Sequence, residues 1–187
     1  MKELNDILKN QTKSEIIADT IEGEASSYRL AFDTAAKYLK NPKTEYEVKQ
    51  KLYDKGFHKA DVEAVIEKMK YYKYIDDYDY CRLFISVKTK KMGRKKMEYK
   101  LINEKRVDEK IVRKAMVEFF NKGDEKEKCR EFAIKYLNKK HFKLDREGWA
   151  KTGNHLYQKG YDWDTISSVL SSIKPGDLDN NGWGNLS

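Results

Sequence analysis

Seven of the thirteen residues in KTKKMGRKKMEYK, Lys88 to Lys100, are cationic, and only Glu98 offsets them. The chemistry open to Lys88, Lys90, Lys91, Arg94, Lys95, Lys96 and Lys100 is neutralisation of anionic oxygens, either nucleic-acid phosphates or the carboxylates of an acidic protein. Such runs are as often nothing more than a solvated helical face. Here the run falls at the junction of two helical segments near the middle of the chain, where long side chains fan over one surface. These seven residues are therefore the expected contact set, and Lys139, Lys140 and Lys143 form a second basic cluster that would serve if the first does not.

The other reactive side chains point to no reaction. Tyr71, Tyr72, Tyr74, Tyr78 and Tyr80 could stack on bases, but Tyr74 with Ile75 fits better as packing between helical units, and Trp149, Trp163 and His155 read as packing and turn residues. His58, His141 and His155 share no ligand spacing with a carboxylate or thiol, and no Ser/His/Asp set can be assembled. Cys81 and Cys129 have no CxxC spacing and read as core thiols of a reducing compartment. DLDNNG, Asp177 to Gly182, matches the start of a calcium loop, but the chain ends at Ser187, before the position of the bidentate Glu. Lys55-Gly56 and Lys159-Gly160 lack the surroundings of a phosphate loop. The expectation is a protein that is not an enzyme and needs no cofactor or metal.

The elements that must carry the basic run follow from apolar spacing. With 37% charged residues, two prolines and ten glycines, the 187-residue chain has narrow apolar stripes and few breakers, which favours helix. Leu30, Ala31, Ala35, Tyr38 and Leu39 recur at helical spacing, Pro42 interrupts, and Thr44 with Glu47 forms a capping box for the next helix. LYDKGFHKADVEAVI, Leu52 to Ile66, is nearly repeated as LYQKGYDWDTISSVL, Leu156 to Leu170. INEKRVDEKIVRKAM, Ile102 to Met116, is a third copy halfway between, provided that one residue is inserted between Leu101 and Val107. Arg106 stands where the other two copies have Gly56 and Gly160.

The expected fold is all-α, an elongated curved array of three tandem three-helix repeats in which neighbouring units bury one another's stripes. The expected segments are an acidic helical leader over 1–27, repeats over 28–75, 76–121 and 122–173, and a disordered tail over 174–187. Residues 1–34 hold four Lys/Arg against seven Asp/Glu, so of the net +8 the remainder carries +11. No signal-peptide pattern or membrane-length apolar stretch occurs in the sequence, so a cytoplasmic monomer without a membrane partner is expected.

YLKNPKTEYEVKQKLYDKGF, YIDDYDYCRLFISVKTKKMGRKKMEYKL and LYQKGYDWDTI, in that order, closely resemble the RecX family of bacterial RecA regulators, over roughly Tyr28 to Ile173. The resemblance implies a modular three-helix-repeat protein lying in the groove of the RecA nucleoprotein filament and usually inhibiting ATP hydrolysis and strand exchange. It also implies contact with single-stranded or double-stranded DNA. The family usually has glycine where Arg106 stands. The competing expectation is a helix-turn-helix transcription regulator using the helix from Lys59 to Met69, although Asp61, Glu63 and Glu67 outnumber Lys59 and Lys68 there.

Overall fold

The computed structural model describes residues 13–120 and 122–178, with the side chains of 13–25 and 122–123 set aside. It divides into two compact units, Met1–Asp76 and Asp77–Ser187. Among the described residues every regular element is helical.

The first unit packs α1 (Lys13–Tyr38), α2 (Glu45–Tyr53) and α3 (Lys59–Tyr71). Helix α1 presents Ala31 and Ala35, whose small side chains let Val48 and Leu52 of α2 and Val62, Val65, Ile66 and Met69 of α3 approach closely. The start of α2 is set by chemistry: the Glu47 backbone N–H donates to Thr44 Oγ1 at 3.2 Å, and the Thr44 N–H donates to the Glu47 carboxylate at 3.1 Å. Helix α2 gives way to a turn at Gly56, which lies at φ +83°. Helix α1 runs unbroken through residue 27, so the expected limit between leader and first repeat falls inside one helix; residues 1–12 lie outside the described residues. Tyr74, expected to pack, is exposed, and Ile75 alone of that pair enters the core.

The second unit holds α4 (Asp77–Lys88), α5 (Arg94–Tyr99), a π turn (Lys100–Glu104), α6 (Glu109–Phe119), α7 (Lys122–Lys140), α8 (Arg146–Lys159) and α9 (Trp163–Ser172). Its first cluster gathers Cys81, Ile85, Met97, Leu101, Val112, Ala115 and Met116, and its second Cys129, Ala133, Leu156, Ile166, Val169 and Leu170. The threefold repeat is visible in these cores. Ala31 and Ala35 correspond to Cys81 and Ile85 and to Cys129 and Ala133, while Val62, Val65 and Ile66 correspond to Val112, Ala115 and Met116 and to Ile166, Val169 and Leu170. Both cysteines are therefore core residues at the same point of the repeat. Burial, reinforced by Asp77 at Cys81 and by Glu125 at Cys129, pushes each thiol up to about 12.

The inserted residue has a structural form. The Phe57 N–H donates to Leu52 O, and the Tyr161 N–H to Leu156 O, each five residues back, whereas the Val107 N–H reaches Leu101 O, six residues back. The π turn Lys100–Glu104 absorbs the extra residue, with the Lys105 N–H bonded to Lys100 O at 2.9 Å. This returns Val112, Ala115 and Met116 to register. Arg106 adopts φ +55°, the same left-handed region as Gly56 and Gly160.

The tail differs from expectation at its start. Pro175–Asp177 form a 3-10 turn, the Lys174 N–H donates to Asp177 Oδ2 at 2.7 Å, Arg130 pairs with that carboxylate at 2.7 Å, and Leu178 packs on the third core. Residues 174–178 are thus docked, because Arg130 and an apolar edge give them partners. Gly182 and most of the calcium-like stretch lie outside the described residues.

Candidate nucleic-acid interface

The candidate surface lies within the unit Asp77–Ser187 and depends on how α5 meets α8. Helix α8 ends at Gly160, whose φ of +98° turns the chain back. Its last carbonyls accept from the start of α5: the Gly93 N–H donates to Lys159 O at 2.8 Å and the Lys95 N–H to Gly160 O at 3.1 Å. The positive end of one helix thus faces the negative end of the other, and each satisfies orphan groups of its neighbour. The fit requires glycine on both sides. A Cβ on Gly93 would stand 2.7 Å from Gly160 O, and one on Gly160 would collide with Lys96 Cβ and stand 2.6 Å from Lys96 N. Two side chains extend the clasp, with Lys96 Nζ donating to Gln158 O at 3.0 Å and Lys159 Nζ to Lys91 O at 3.3 Å.

This docking splits the basic run, whose seven cations were expected to share one surface. Lys96 is a strut of the clasp. Arg94 and Lys95 line a cleft of about 550 Å³ together with Lys126, but Glu98, Glu125, Asp162 and Asp164 line it too, so its acidic residues outnumber its cations four to three. Arg94 pairs with Glu98 at 3.0 Å. Burial, then the neighbouring Asp162, raises the Glu125 carboxyl above its usual range. Lys100 pairs with Glu104 at 2.8 Å, and half-buried Lys88 lies 6.0 Å from the centre of the Phe84 ring.

Of the seven, Lys90 and Lys91 alone reach the strongly basic concavity. It measures about 540 Å³, and its other wall comes from Lys135, Lys139 and Lys140 of α7 and Lys159 of α8, with no carboxylate among the lining residues. Lys90, Lys91, Lys135, Lys139 and Lys140 are exposed and have no ion-pair partner among the described residues. Tyr136 and His155 also line it, their rings stacked at 3.9 Å between centroids and 7° from parallel, and Phe132 lies beneath Lys159 at 5.1 Å. Burial first, then the Lys159 charge, holds the His155 imidazole below its ordinary range, which favours its neutral form. The arrangement can bind polyanions that carry flat apolar groups.

Sequence reasoning missed Phe132, Lys135, Tyr136, His155 and Lys159 as site residues. A signal was present: Phe132 and Tyr136, like Lys135 and Lys139, stand four apart and share a helical face. What no spacing conveyed is that α8 brings His155 onto Tyr136. The helix proposed for duplex reading, α3, is poorly suited to phosphate, since its first turn holds Asp61, which accepts from Ser27, and its Lys59 is paired with Glu63. Among the described residues no group of three or more His, Cys, Asp or Glu is placed to hold a metal ion, and no helix is long and apolar enough to cross a membrane.

Comparison with known proteins matches the first and the third helical units. The family model of the RecX first three-helix domain matches residues 31–69, and that of the RecX third three-helix domain matches 124–170. A regulatory protein RecX of Clostridium tetani is 31% identical over 157 residues, spanning 80% of this chain and 70% of its own length. The chain belongs to the RecX family. A second RecX relative, from Clostridium acetobutylicum, is 32% identical over 161 residues, covering 80% of this chain and 72% of its own. The crystal structure of RecX from Lactobacillus salivarius shares the fold with a TM-score of 0.73 at 23% identity, covering 79% of this chain and 96% of that one. The matched third RecX domain contains one wall of the basic cleft, from Lys135 to Lys159. Lys90 and Lys91 lie outside both matched segments.

Proposed function

We propose that this RecX-family chain is a non-enzymatic regulator that binds the RecA–DNA filament and inhibits RecA ATP hydrolysis and strand exchange. Family membership carries the reading and supplies the partner. The contact chemistry is supported by the basic cleft, where five exposed lysines without ion-pair partners among the described residues face solvent beside an aromatic pair. A filament wound on DNA offers phosphate and acidic side chains in its groove, and desolvating such groups against unpaired lysines costs less than separating lysines already bound to carboxylates. On this reading Lys90 and Lys91 are the members of the basic run that meet the filament, and Arg94, Lys96 and Lys100 act mainly within the fold. The test is steady-state ATP hydrolysis by RecA on single-stranded DNA during titration with the protein. The expected result is a saturable fall in rate, weakened by the double change Lys139→Glu/Lys140→Glu. A rate that is unchanged or raised at saturating protein overturns the proposal.

A further inference from the structure

We propose that the basic cleft is a binding site for a free nucleoside triphosphate, in which lysines from both walls gather the oligophosphate and the Tyr136–His155 pair carries the base. The proposal goes beyond the regulatory reading. Where that reading holds, ligand and filament compete for Lys90, Lys91, Lys139 and Lys140.

Charge density favours a compact ligand. The cleft is lined by six lysines and by no carboxylate, while the neighbouring cleft is lined by four acidic residues against three cations, so the asymmetry is local. Lys159 is engaged within the fold, donating to Lys91 O at 3.3 Å and lying 5.1 Å from the centre of the Phe132 ring. Lys90, Lys91, Lys135, Lys139 and Lys140 remain, converging from two stretches of chain on about 540 Å³, within the range of about 300–1,000 Å³ usual for small-molecule sites. A polynucleotide backbone brings one charge per phosphate, and a space of this size admits about one or two of its nucleotides, which leaves most of these amines without a counter-charge. A triphosphate places three phosphates there with a total charge of about −4, one on each inner phosphate and nearly two on the terminal one at neutral pH. Crowded ammonium groups repel one another, so the ligand that neutralises most of them in the least volume gains most.

The floor supplies the base contact. The Tyr136 and His155 rings, stacked at 3.9 Å and 7°, are held in place because Tyr136 also packs at 5.8 Å and 60° against Phe142. Phe132 adds apolar surface to the same lining. A base laid on such a surface is bound through its π face, which every base has, so triphosphates of any base should be accepted. The clasp fixes the walls: Lys90 and Lys91 precede Gly93, whose N–H donates to Lys159 O at 2.8 Å. A site formed before its ligand arrives has little ordering left to lose on binding.

The experiment is calorimetric titration of the full chain with unlabelled ATP, without RecA, and without magnesium, which would neutralise part of the ligand's charge. Saturable binding is expected, weakening about tenfold for each phosphate removed, through the diphosphate to the monophosphate, as each charge-assisted contact is lost. Inorganic tripolyphosphate, at least as charged but without a base, should bind about tenfold more weakly than ATP, the effect of one lost stacking contact. Tyr136→Leu should abolish that difference and Tyr136→Phe should keep it, whereas Lys139→Glu/Lys140→Glu should weaken ATP and tripolyphosphate together. A dinucleotide with two phosphates, standing in for a passing strand, should bind at least about tenfold more weakly than ATP. The proposal is overturned, whatever the variants do, if the wild-type protein shows no saturation at millimolar ATP, binds mono- and triphosphate alike, or holds tripolyphosphate or the dinucleotide as tightly as ATP. Because RecA is absent, a failure here leaves suppression of RecA ATP hydrolysis standing. ATP binding without that suppression condemns the regulatory reading alone.

Discussion

Replacing Gly93 by Ala tests the clasp on which the basic cleft depends. The new Cβ would lie 2.7 Å from Gly160 O, 2.8 Å from Gly160 C and 3.1 Å from Tyr161 N, all backbone atoms with no rotamer in which to retreat. Relief requires α5 to move away from α8, stretching the bonds from the Gly93 N–H to Lys159 O and from the Lys95 N–H to Gly160 O. Each of the two bonds contributes about 1 kcal/mol net, and one donor left dry adds about 1–3 kcal/mol, so the expected loss is about 3–5 kcal/mol. Gly56→Ala is the control. Gly56 lies at φ +83°, and a Cβ there would meet nothing within 4 Å, so this change should lose only the left-handed penalty of about 1–2 kcal/mol. Urea unfolding of both variants gives the comparison. Affinity for ATP supplies a second readout, because separating Lys90 and Lys91 from the three α7 lysines should weaken binding by at least about tenfold. If Gly93→Ala is no more destabilising than Gly56→Ala and keeps the full affinity, the clasp neither holds the fold nor shapes the cleft.

Thr152 is fully buried with its hydroxyl unpartnered, at the repeat position occupied by Val48 and Met97. Thr152→Val should therefore raise stability by about 1 kcal/mol in urea unfolding, and a loss would mean that the hydroxyl has a partner in solution. Arg106 holds φ +55° where its counterparts are glycine, so Arg106→Gly should relieve about 1–2 kcal/mol of strain against about 0.5–1 kcal/mol of added chain entropy, for a small net rise in melting temperature. Asp162 caps α9 by accepting from the Thr165 N–H at 2.8 Å, and that bond, working against partial burial, holds the carboxyl below its ordinary value of 3.8. Its stabilisation is present above pH about 3.8 and is lost as pH falls through the lower folded value. Asp162→Asn keeps a cap but cannot titrate, so it should cost under about 1 kcal/mol at pH 7 and flatten the stability profile below about pH 4. An unchanged acid limb would show that other carboxylates govern it.

The helical class and threefold repeat could be read from the sequence because both are local properties. Apolar residues three and four apart, the Thr44–Glu47 box and the Lys-Gly turns each act within a few residues, and the same stripe recurs as Val62, Val112 and Ile166. Even the misfit was readable: the single residue between Leu101 and Val107 that broke register became the π turn, since a helix can absorb one residue only by widening one of its turns. The resemblance to the RecX family was carried by equally local, ordered motifs.

The candidate surface was decided elsewhere. In one dimension Lys88 to Lys100 form a single basic run, and nothing in composition separates its members. Folding places Arg94 and Lys95 among carboxylates, commits Lys96 to a carbonyl and leaves Lys90 and Lys91 to join lysines more than forty positions away on α7. His155 likewise becomes part of a site only because α8 lays it on Tyr136. Charge and residue type were determined by the sequence alone, whereas which charges remain unpaired was decided by the tertiary structure. The physical reason is that pairing falls off within a few ångströms, a distance that only the docking of one helix on another defines.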